Sequence, residues 1–565
     1  MKIKTYQIAL TIIFLGMTLV GAIGLNVTPA NIVRETHATT TSDGITISFD
    51  VYHESSIPAN RPVIIIGHGV FVNKEMMTNY AMELAARDFV VASLDWRGHG
   101  QSGGTLDTSK LGLDLDAVIA AIPAIMPSAN MSNLGLIGYS MGGLATFPYA
   151  ASHPNVKAWV GVGTTPNGTI SNLTSPRNAL VVVGTLDEGF SIQEIQGQMV
   201  NMTGVASASD VQTGYLYGNI SKGTAREIDV IPLADHLAVP WDSRFITAAT
   251  DWIVRTFDNV VPDQTFTVYN ERLILLIVGL IGLVGLIYGV SLILAHVLKI
   301  TKDGDDANSR ESEIAVNPEM TGKHLVISYY AWSLLLIPTA IIPGLTFFLP
   351  LFVTSFIATL VATLAINLFL FLWRYLKKRG ISLLHVMKAN VAGWRTWVLS
   401  VAIAAIFIVG FYFIVGLNYL GVIPPVSRAG YIPLYGVIMF LSYLVYAIFN
   451  NKILEPYLDR KITMKNEKLR YIVKSLSVFL LLYSWFFITI MLLYAASEAL
   501  FPFVRLTILI LIMMAPFFLF GSFGMIYLQR LTRSSLPNVL LQIVLLTPLI
   551  VTLSPLGSLM SLLMH

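Results

Sequence analysis

Cysteine is absent from all 565 residues of this chain. That absence excludes disulfides, thiolate metal sites and a thiol nucleophile, so any domain outside the cell must be held together by its core. Charge is scarce as well. Asp, Glu, Lys and Arg make up 12% of the chain, about half their usual share in soluble proteins. The formal net charge of +3 is too small to support nucleic-acid binding, and no basic patch interleaved with aromatics accompanies it. No group of Cys, His, Asp and Glu has metal-ligand spacing, and no G-x-x-x-x-G-K-[ST] phosphate loop occurs. No metal and no other cofactor is expected.

Apolar residues are what the chain has in excess, at 55% with a mean hydropathy of +0.68. They fall in runs that divide it. Ile8 to Leu25 lies behind Lys2 and Lys4 and is long for the core of a signal peptide. It reads as an uncleaved signal anchor over residues 1–25, with a cleaved signal peptide as the alternative. From Leu273 onward eight further stretches approach the length needed to cross a bilayer, near 273–298, 325–345, 347–373, 396–418, 431–450, 472–495, 503–528 and 537–562. Residues 271–565 therefore read as an all-α, multi-pass transmembrane domain, with short turns at Pro343-Gly344 and Pro424-Pro425. The segment Ile381 to Trp397, with scattered basic and aromatic residues, fits a helix lying at the membrane surface.

Charge asymmetry orients these spans. Lys299, Lys302, Arg310 and Lys323 share one loop; Arg374, Lys377, Lys378 and Arg379 the next on that side; Lys452 to Arg470 a third; Arg530 and Arg533 a fourth. The alternate loops hold little beyond Arg428 and Arg505. The positive-inside rule then puts the basic loops in the cytoplasm and residues 26–270 outside. N-x-[ST] sequons at Asn26, Asn130, Asn167, Asn172, Asn201 and Asn219 all fall in that outer segment, where glycosylation is possible only after translocation. Within the spans the polar exceptions are Asn367 and His296. No acid or base is legible at mid-membrane, where ion-coupled transport needs one.

The outer segment carries the chemistry. Gly138-Tyr139-Ser140-Met141-Gly142 follows the apolar run Leu134 to Ile137 and opens a helix-compatible stretch, Gly143 to Ala151. A G-x-S-x-G between strand and helix puts a serine on a turn too tight for side chains at its flanks, hence the two glycines. Upstream, Val63 to Ile66 reads as a buried strand ending in Gly67-His68-Gly69-Val70. Phe89 to Leu94 reads as another, running into Asp95-Trp96-Arg97-Gly98-His99-Gly100-Gln101-Ser102.

These three ordered motifs resemble the α/β-hydrolase superfamily, in the branch that holds monoglyceride lipases, serine-aminopeptidase-like proteins and dienelactone-hydrolase-like esterases. The likeness covers about residues 44–256. It implies an α/β fold, with helices on both faces of a mostly parallel sheet, over residues 26–270. It also implies an oxyanion hole from the backbone amides of Val70 and Met141, and a Ser-Asp-His order for a triad. The strand Asn178 to Val183 delivers Gly184-Thr185-Leu186-Asp187, similar to the family's strand-G-x-x-D, so Asp187 is the expected acid, with Glu188 and Asp235 as rivals. The strand Glu227 to Ile231 leads to His236, the expected base; His153 precedes the acid and fails on order. Ser140 is the expected nucleophile. His68, His99, Asp95 and Arg97 read as structural members of loops flanking the site, and His37 and His53 carry no signal.

Two departures from the family stand out. The stretch from Asp187 to His236 is long, and its surplus around Ser191 to Gly223 is rich in Asn, Ser, Thr and Gly, which reads as a surface insertion. Between Val160 and Leu180 there is too little chain for a lid domain, so an open site and small or extended acyl substrates are expected. The reading is a membrane-bound extracytoplasmic serine hydrolase that cleaves carboxylic esters, with an ester, lipid or peptide as substrate and the bilayer as neighbour. The alternatives are a peptidase of the serine-aminopeptidase kind, and a transporter or receptor whose outer domain binds or processes its ligand.

Overall fold

The computed structural model describes residues 3–56, 59–257, 268–300, 351–496 and 503–557. The expected span at 325–345 and the turn at Pro343-Gly344 lie outside them. Eight strands form one sheet: β1 Ile32–Thr40, β2 Thr46–Glu54, β3 Arg61–Gly67, β4 Val90–Leu94, β5 Ala129–Tyr139, β6 Val156–Val162, β7 Ala179–Leu186 and β8 Arg226–Asp235. Their order is β1-β2-β4-β3-β5-β6-β7-β8. β1, β2 and β4 pair antiparallel, and β4 through β8 run parallel. Parallel strands need crossovers, and a sheet covered on both faces must be apolar along its whole run. Val63 to Ile66 and Ala179 to Val183 are buried without a break, as that rule requires.

The alternation of side chains assigns each helix to a face. Val63, Ile65, Leu136 and Val181 point toward α3 (Leu111–Ile125), α4 (Met141–Ser152) and α5 (Ile192–Thr203). Ile64, Ile66, Ile137 and Val182 point the other way, toward α2 (Thr78–Ala85) and α6 (Ser243–Phe257), and that core runs on into the helical half of the chain. The polar stretch after Ser191 is thus not a surface insertion throughout. Its first part is α5, whose Ile195, Met199 and Met202 are buried, and it forms the crossover from β7 to β8. Ser191 caps that helix by accepting from the Glu194 amide, and Gly204 ends it at φ +74°.

The helical half begins with α7 (Val268–Val297) and continues through α8 (Phe352–Lys377), α9 (Trp394–Phe411), α10 (Ile432–Phe449), α11 (Glu455–Lys461), α12 (Glu467–Ala496), α13 (Phe503–Thr532) and α14 (Leu536–Leu553). A short helix, Leu383–Asn390, lies before α9 where a surface helix is expected. Among the described residues, seven helices are long and apolar enough to cross a membrane, one of them the N-terminal α1 (Thr5–Val27). Charges do pair across helix ends, which the sequence concealed: Lys474 reaches Glu455 at 3.0 Å and Asp459 at 2.8 Å, and Arg530 reaches Glu455 at 3.0 Å. These groups lie at the ends that carry the basic loops, not at mid-helix.

α1 and α7 pack backbone to backbone. A Cβ on Gly21 would sit 2.3 Å from Gly279 Cα, one on Gly282 2.5 Å from Thr18 N, and one on Gly289 2.2 Å from Thr11 Oγ1. Small residues at the crossing let two helices approach closely where no hydrophobic effect drives them together. Arg272 of α7 closes the upper end of the pair. Its buried guanidinium donates to the Leu25 and Thr28 carbonyls at 2.8 and 3.0 Å and to Asn418 Oδ1 at 2.9 Å. Gly21→Leu is expected to destabilise the protein by about 1–3 kcal/mol through overpacking. Gly16→Leu on the same helix, where a Cβ meets nothing within 4 Å, is expected to have no effect. Thermal unfolding of both variants in one detergent checks this, and equal melting temperatures would contradict the close-packed pair.

Candidate active site

Gly67, Gly138 and Gly161 lie side by side in register at the carboxyl ends of β3, β5 and β6. Above this row the chain turns from β5 into α4 at Ser140, whose backbone is held at φ 51° and ψ −118°. Such angles are strained for any residue with a side chain and persist only where the surroundings leave no alternative. The surroundings are explicit. A Cβ on Gly138 would sit 2.5 Å from the Gly142 carbonyl carbon, and one on Gly142 would sit 2.3 Å from the Gly67 oxygen. The Ser140 amide donates to the Val162 carbonyl at 3.1 Å, and Thr164 Oγ1 donates to the Ser140 carbonyl at 2.9 Å.

The structure brings Ser140, His236 and Asp187 together. Ser140 Oγ lies 3.0 Å from His236 Nε2, and His236 Nδ1 lies 2.9 Å from Asp187 Oδ2. Asp187 leaves β7 with its side chain fully buried and accepts from the Gly189 and Phe190 amides at 2.9 Å each. A carboxylate oxygen beside Nδ1 fixes the imidazole tautomer with its N–H there, leaving Nε2 as the acceptor facing Ser140 Oγ. The Tyr139 hydroxyl donates to the His236 carbonyl at 2.9 Å and pins the histidine loop to the strand beneath the serine. The rival acids face elsewhere. Glu188 accepts from the His236 backbone amide at 3.2 Å, with burial raising its pKa, and Asp235 accepts from the Ala238 amide at 2.8 Å. His153 stacks on Tyr149 at 3.9 Å, at the far end of α4.

Val70 follows the Gly67-His68-Gly69 turn, and Met141 is the first residue of α4. A Cβ on Gly69 would sit 3.0 Å from Ser140 Cβ, so this loop lies directly against the serine. Among the described residues no acceptor pairs with the Val70 or Met141 amide.

The flanking loops are held by a buried polar network. His68 Nδ1 donates to the Gly69 carbonyl at 2.6 Å, while Nε2 accepts from the Trp96 amide at 3.2 Å. Burial keeps that ring neutral, with its pKa pulled down to about 4. His99 packs edge-on against His68 at 5.2 Å and is depressed by burial in the same direction. Burial would raise the Asp95 carboxyl, but Lys74, His68 and the Gln101 and Lys74 amides outweigh it and hold it at about 2. Arg97 donates to Asp114 at 2.7 Å and to Asp43 at 2.8 Å.

Sequence reasoning missed the residue that fastens this network from outside. Arg428, in the loop between α9 and α10, donates to the Gly98 carbonyl at 2.9 Å, to the Gly100 carbonyl, and to the Ser554 carbonyl at 2.8 Å. Leu556 adds a strand-like pair, donating to Gly98 and accepting from Leu106. The helical half thus grips the loop after β4. No local signal betrays this, because every acceptor is a backbone carbonyl distant in sequence.

A family profile described as serine aminopeptidase, S33, matches residues 58–187. With the sheet order and the strand-turn-helix at Ser140, that match decides the fold. The sheet region is an α/β-hydrolase domain. Its relatives include a monoacylglycerol lipase of Mycolicibacterium smegmatis, 27% identical over 34% of this chain and 70% of the relative. Another is the AB hydrolase superfamily protein YisY of Bacillus subtilis, 34% identical over 16% of this chain and 33% of the relative. The solved structure of the Pyrococcus furiosus esterase Pf2001 aligns with 40% of this chain and 95% of its own at 16% identity and a TM-score of 0.33.

The hydrolase domain's buried neutral histidines set an acid limit. Unfolded, His68 takes up a proton near pH 6.5; folded, it does so only near pH 4. Between those values the unfolded state binds more protons, so stability falls as pH falls, by up to about 1.4 kcal/mol per unit for each such histidine. His99 adds in the same direction, and Asp95 adds below pH 4. The melting temperature is expected to drop steadily from pH 6.5 to 4, less so in His99→Gln. A flat profile in the wild type would contradict the neutral pair.

Proposed function

We propose that the chain is a membrane-bound serine hydrolase that cleaves carboxylic esters, with its hydrolase domain on the extracytoplasmic side. The observation that carries the reading is the unbroken relay from Ser140 Oγ through His236 to Asp187, at 3.0 and 2.9 Å. In this reading His236 Nε2 takes the Ser140 proton as Oγ attacks the ester carbonyl. The imidazolium so formed is stabilised by Asp187, and the tetrahedral oxyanion by the Val70 and Met141 amides. His236 then returns the proton to the leaving alcohol, and an acyl-Ser140 intermediate is hydrolysed by water through the same base. The likeness to the mycobacterial monoacylglycerol lipase supports lipid esters among the substrates.

Sidedness rests on the two ends of each helix. Leu417 after α9, Arg428 before α10 and Leu556 after α14 touch the hydrolase domain. The opposite ends of the helices carry Lys299, Arg374, Lys377, Arg460, Lys461 and Arg530, the side that the positive-inside rule assigns to the cytoplasm. The basic exception Arg428 is consumed as a buried clamp. The close packing of α1 on α7 supports retention of residues 1–25 as an anchor, and domain limits at 26–270 and 271–565. The family description favours a second reading, amide cleavage at an amino-terminal residue, which the same relay would perform.

A fluorophosphonate probe tests the enzyme reading. The purified wild type is expected to label, and Ser140→Ala to lose labelling entirely. Asp187→Asn should slow labelling and ester turnover by on the order of 10³–10⁴-fold, whereas Asp235→Asn should remain near wild type. Labelling that survives in Ser140→Ala, or a folded wild type that does not label, would overturn the assignment.

A further inference from the structure

A cavity of about 410 Å³ lies where the hydrolase domain meets the helices. Its volume falls within the range of small-molecule sites. Leu276 and Leu280 of α7, Phe407 of α9 and Phe520 of α13 line its apolar length. Asn79 of α2 and Trp241 of the loop after β8 reach it from the hydrolase domain, beside Tyr269 at the start of α7. Asn79 is 3% exposed, and its Oδ1 has no hydrogen-bond partner among the described residues; the buried Nε1 of Trp241 has none either. Buried polar atoms are as a rule paired, and each exception calls for a cause.

The two unpaired atoms both belong to the hydrolase domain and are complementary in kind, one an acceptor and one a donor. The remaining walls are mostly hydrocarbon from helices long and apolar enough to cross a membrane, and the hydroxyls of the lining Tyr269 and Tyr419 are taken up by the Trp241 and Arg272 carbonyls. Leu276 and Leu280 are only half-buried, and the neighbouring Ile277 and Ile281 are exposed, so the cavity borders the outer surface of α7. Water suits a site with several polar partners and leaves apolar space dry. A molecule with a short hydrogen-bonding head and one hydrocarbon tail satisfies both kinds of wall at once.

We propose that this cavity binds a single acyl chain of a membrane amphiphile, with a head-group hydroxyl that donates to Asn79 Oδ1 and accepts from Trp241 Nε1. The occupant then rests on the loop that carries His236. Along that loop the His236 carbonyl accepts from Tyr139, the Val239 carbonyl from Tyr80 at 2.7 Å, and the Trp241 carbonyl from Tyr269. The chain has two sources, the substrate itself or a resident bilayer lipid, and the head-and-tail chemistry is the same for both.

Full-length protein in lipid nanodiscs is photolysed with a monoacylglycerol whose chain carries a diazirine and an alkyne, and the adducts are mapped by mass spectrometry. Adducts are expected at Leu276, Leu280 and Phe407 in excess of those at Ile277 and Ile281 on the outward face of α7. Leu280→Trp, which fills the cavity, is expected to cut the Phe407 adduct about tenfold. Asn79→Leu, which keeps the volume but removes the acceptor, guards against a variant that fails to fold and is expected to weaken the adduct. Equal labelling of cavity and outward positions, or a Phe407 adduct unchanged in folded Leu280→Trp, would overturn the proposal. Ester turnover identifies the source: a loss confined to long-chain esters in Leu280→Trp marks the substrate's chain, and unchanged turnover with a lost adduct marks a resident lipid. The crosslink needs no reactive Ser140, so its outcome is separate from that of the hydrolase reading.

Discussion

A serine held at φ 51° and ψ −118° is the constraint on which the rest of the hydrolase domain depends. Strain of this kind costs on the order of 1–3 kcal/mol and survives only if neighbouring atoms forbid relaxation. Here they are backbone atoms and packed side chains. Gly67, Gly138 and Gly161 stand in one register row, Gly142 lies on the Gly67 carbonyl, and Gly143 presses on Thr164. A one-residue slip in β3, β5 or β6 would put side chains into that row. The parallel register, the start of α4 and the aim of the serine are therefore one packing problem with one solution.

The histidine reaches that serine because its loop is anchored to the same strand. Tyr139, adjacent to Ser140, is tied by its hydroxyl to the His236 carbonyl, so strand and loop cannot drift apart independently. Asp187 is held by amides of its own turn before it meets the ring. The helical half adds a second level of fixation. Two buried guanidiniums, Arg272 and Arg428, donate to carbonyls and one amide oxygen, and burial draws Arg428 down to about 10, still charged at neutral pH. Removing such a group leaves several carbonyls unpaired in a dry interface, which costs more than a surface ion pair is worth. The hydrolase domain is thus seated on its helices, with one face of its sheet continuous with their core.

Much of this was legible because each loop at the candidate site follows a buried apolar strand and is rich in glycine. Gly67-His68-Gly69, Asp95 to Ser102 and Gly138 to Gly142 announce themselves by composition, and the order of Asp187 and His236 follows. The roles of His68, Asp95 and Arg97 as loop supports were legible for the same reason. α5 was not, since Ile195, Met199 and Met202 are spaced for one face but diluted by Gln, Asn and Thr. Arg428 looked like a stray charge because its partners are carbonyls at Gly98, Gly100 and Ser554, which no residue type advertises. The ion pairs of Lys474 and Arg530 with Glu455 were equally silent, since each charge alone reads as a helix-end residue.

In the proposed reaction Ser140 carries the acyl group during turnover. Its most direct test is mass spectrometry of the peptide bearing Ser140, acid-quenched during steady-state hydrolysis of a p-nitrophenyl ester by the full-length protein. The acyl mass is expected on Ser140, and none when the ester is omitted. Sustained turnover with Ser140 unmodified and another residue acylated would contradict it.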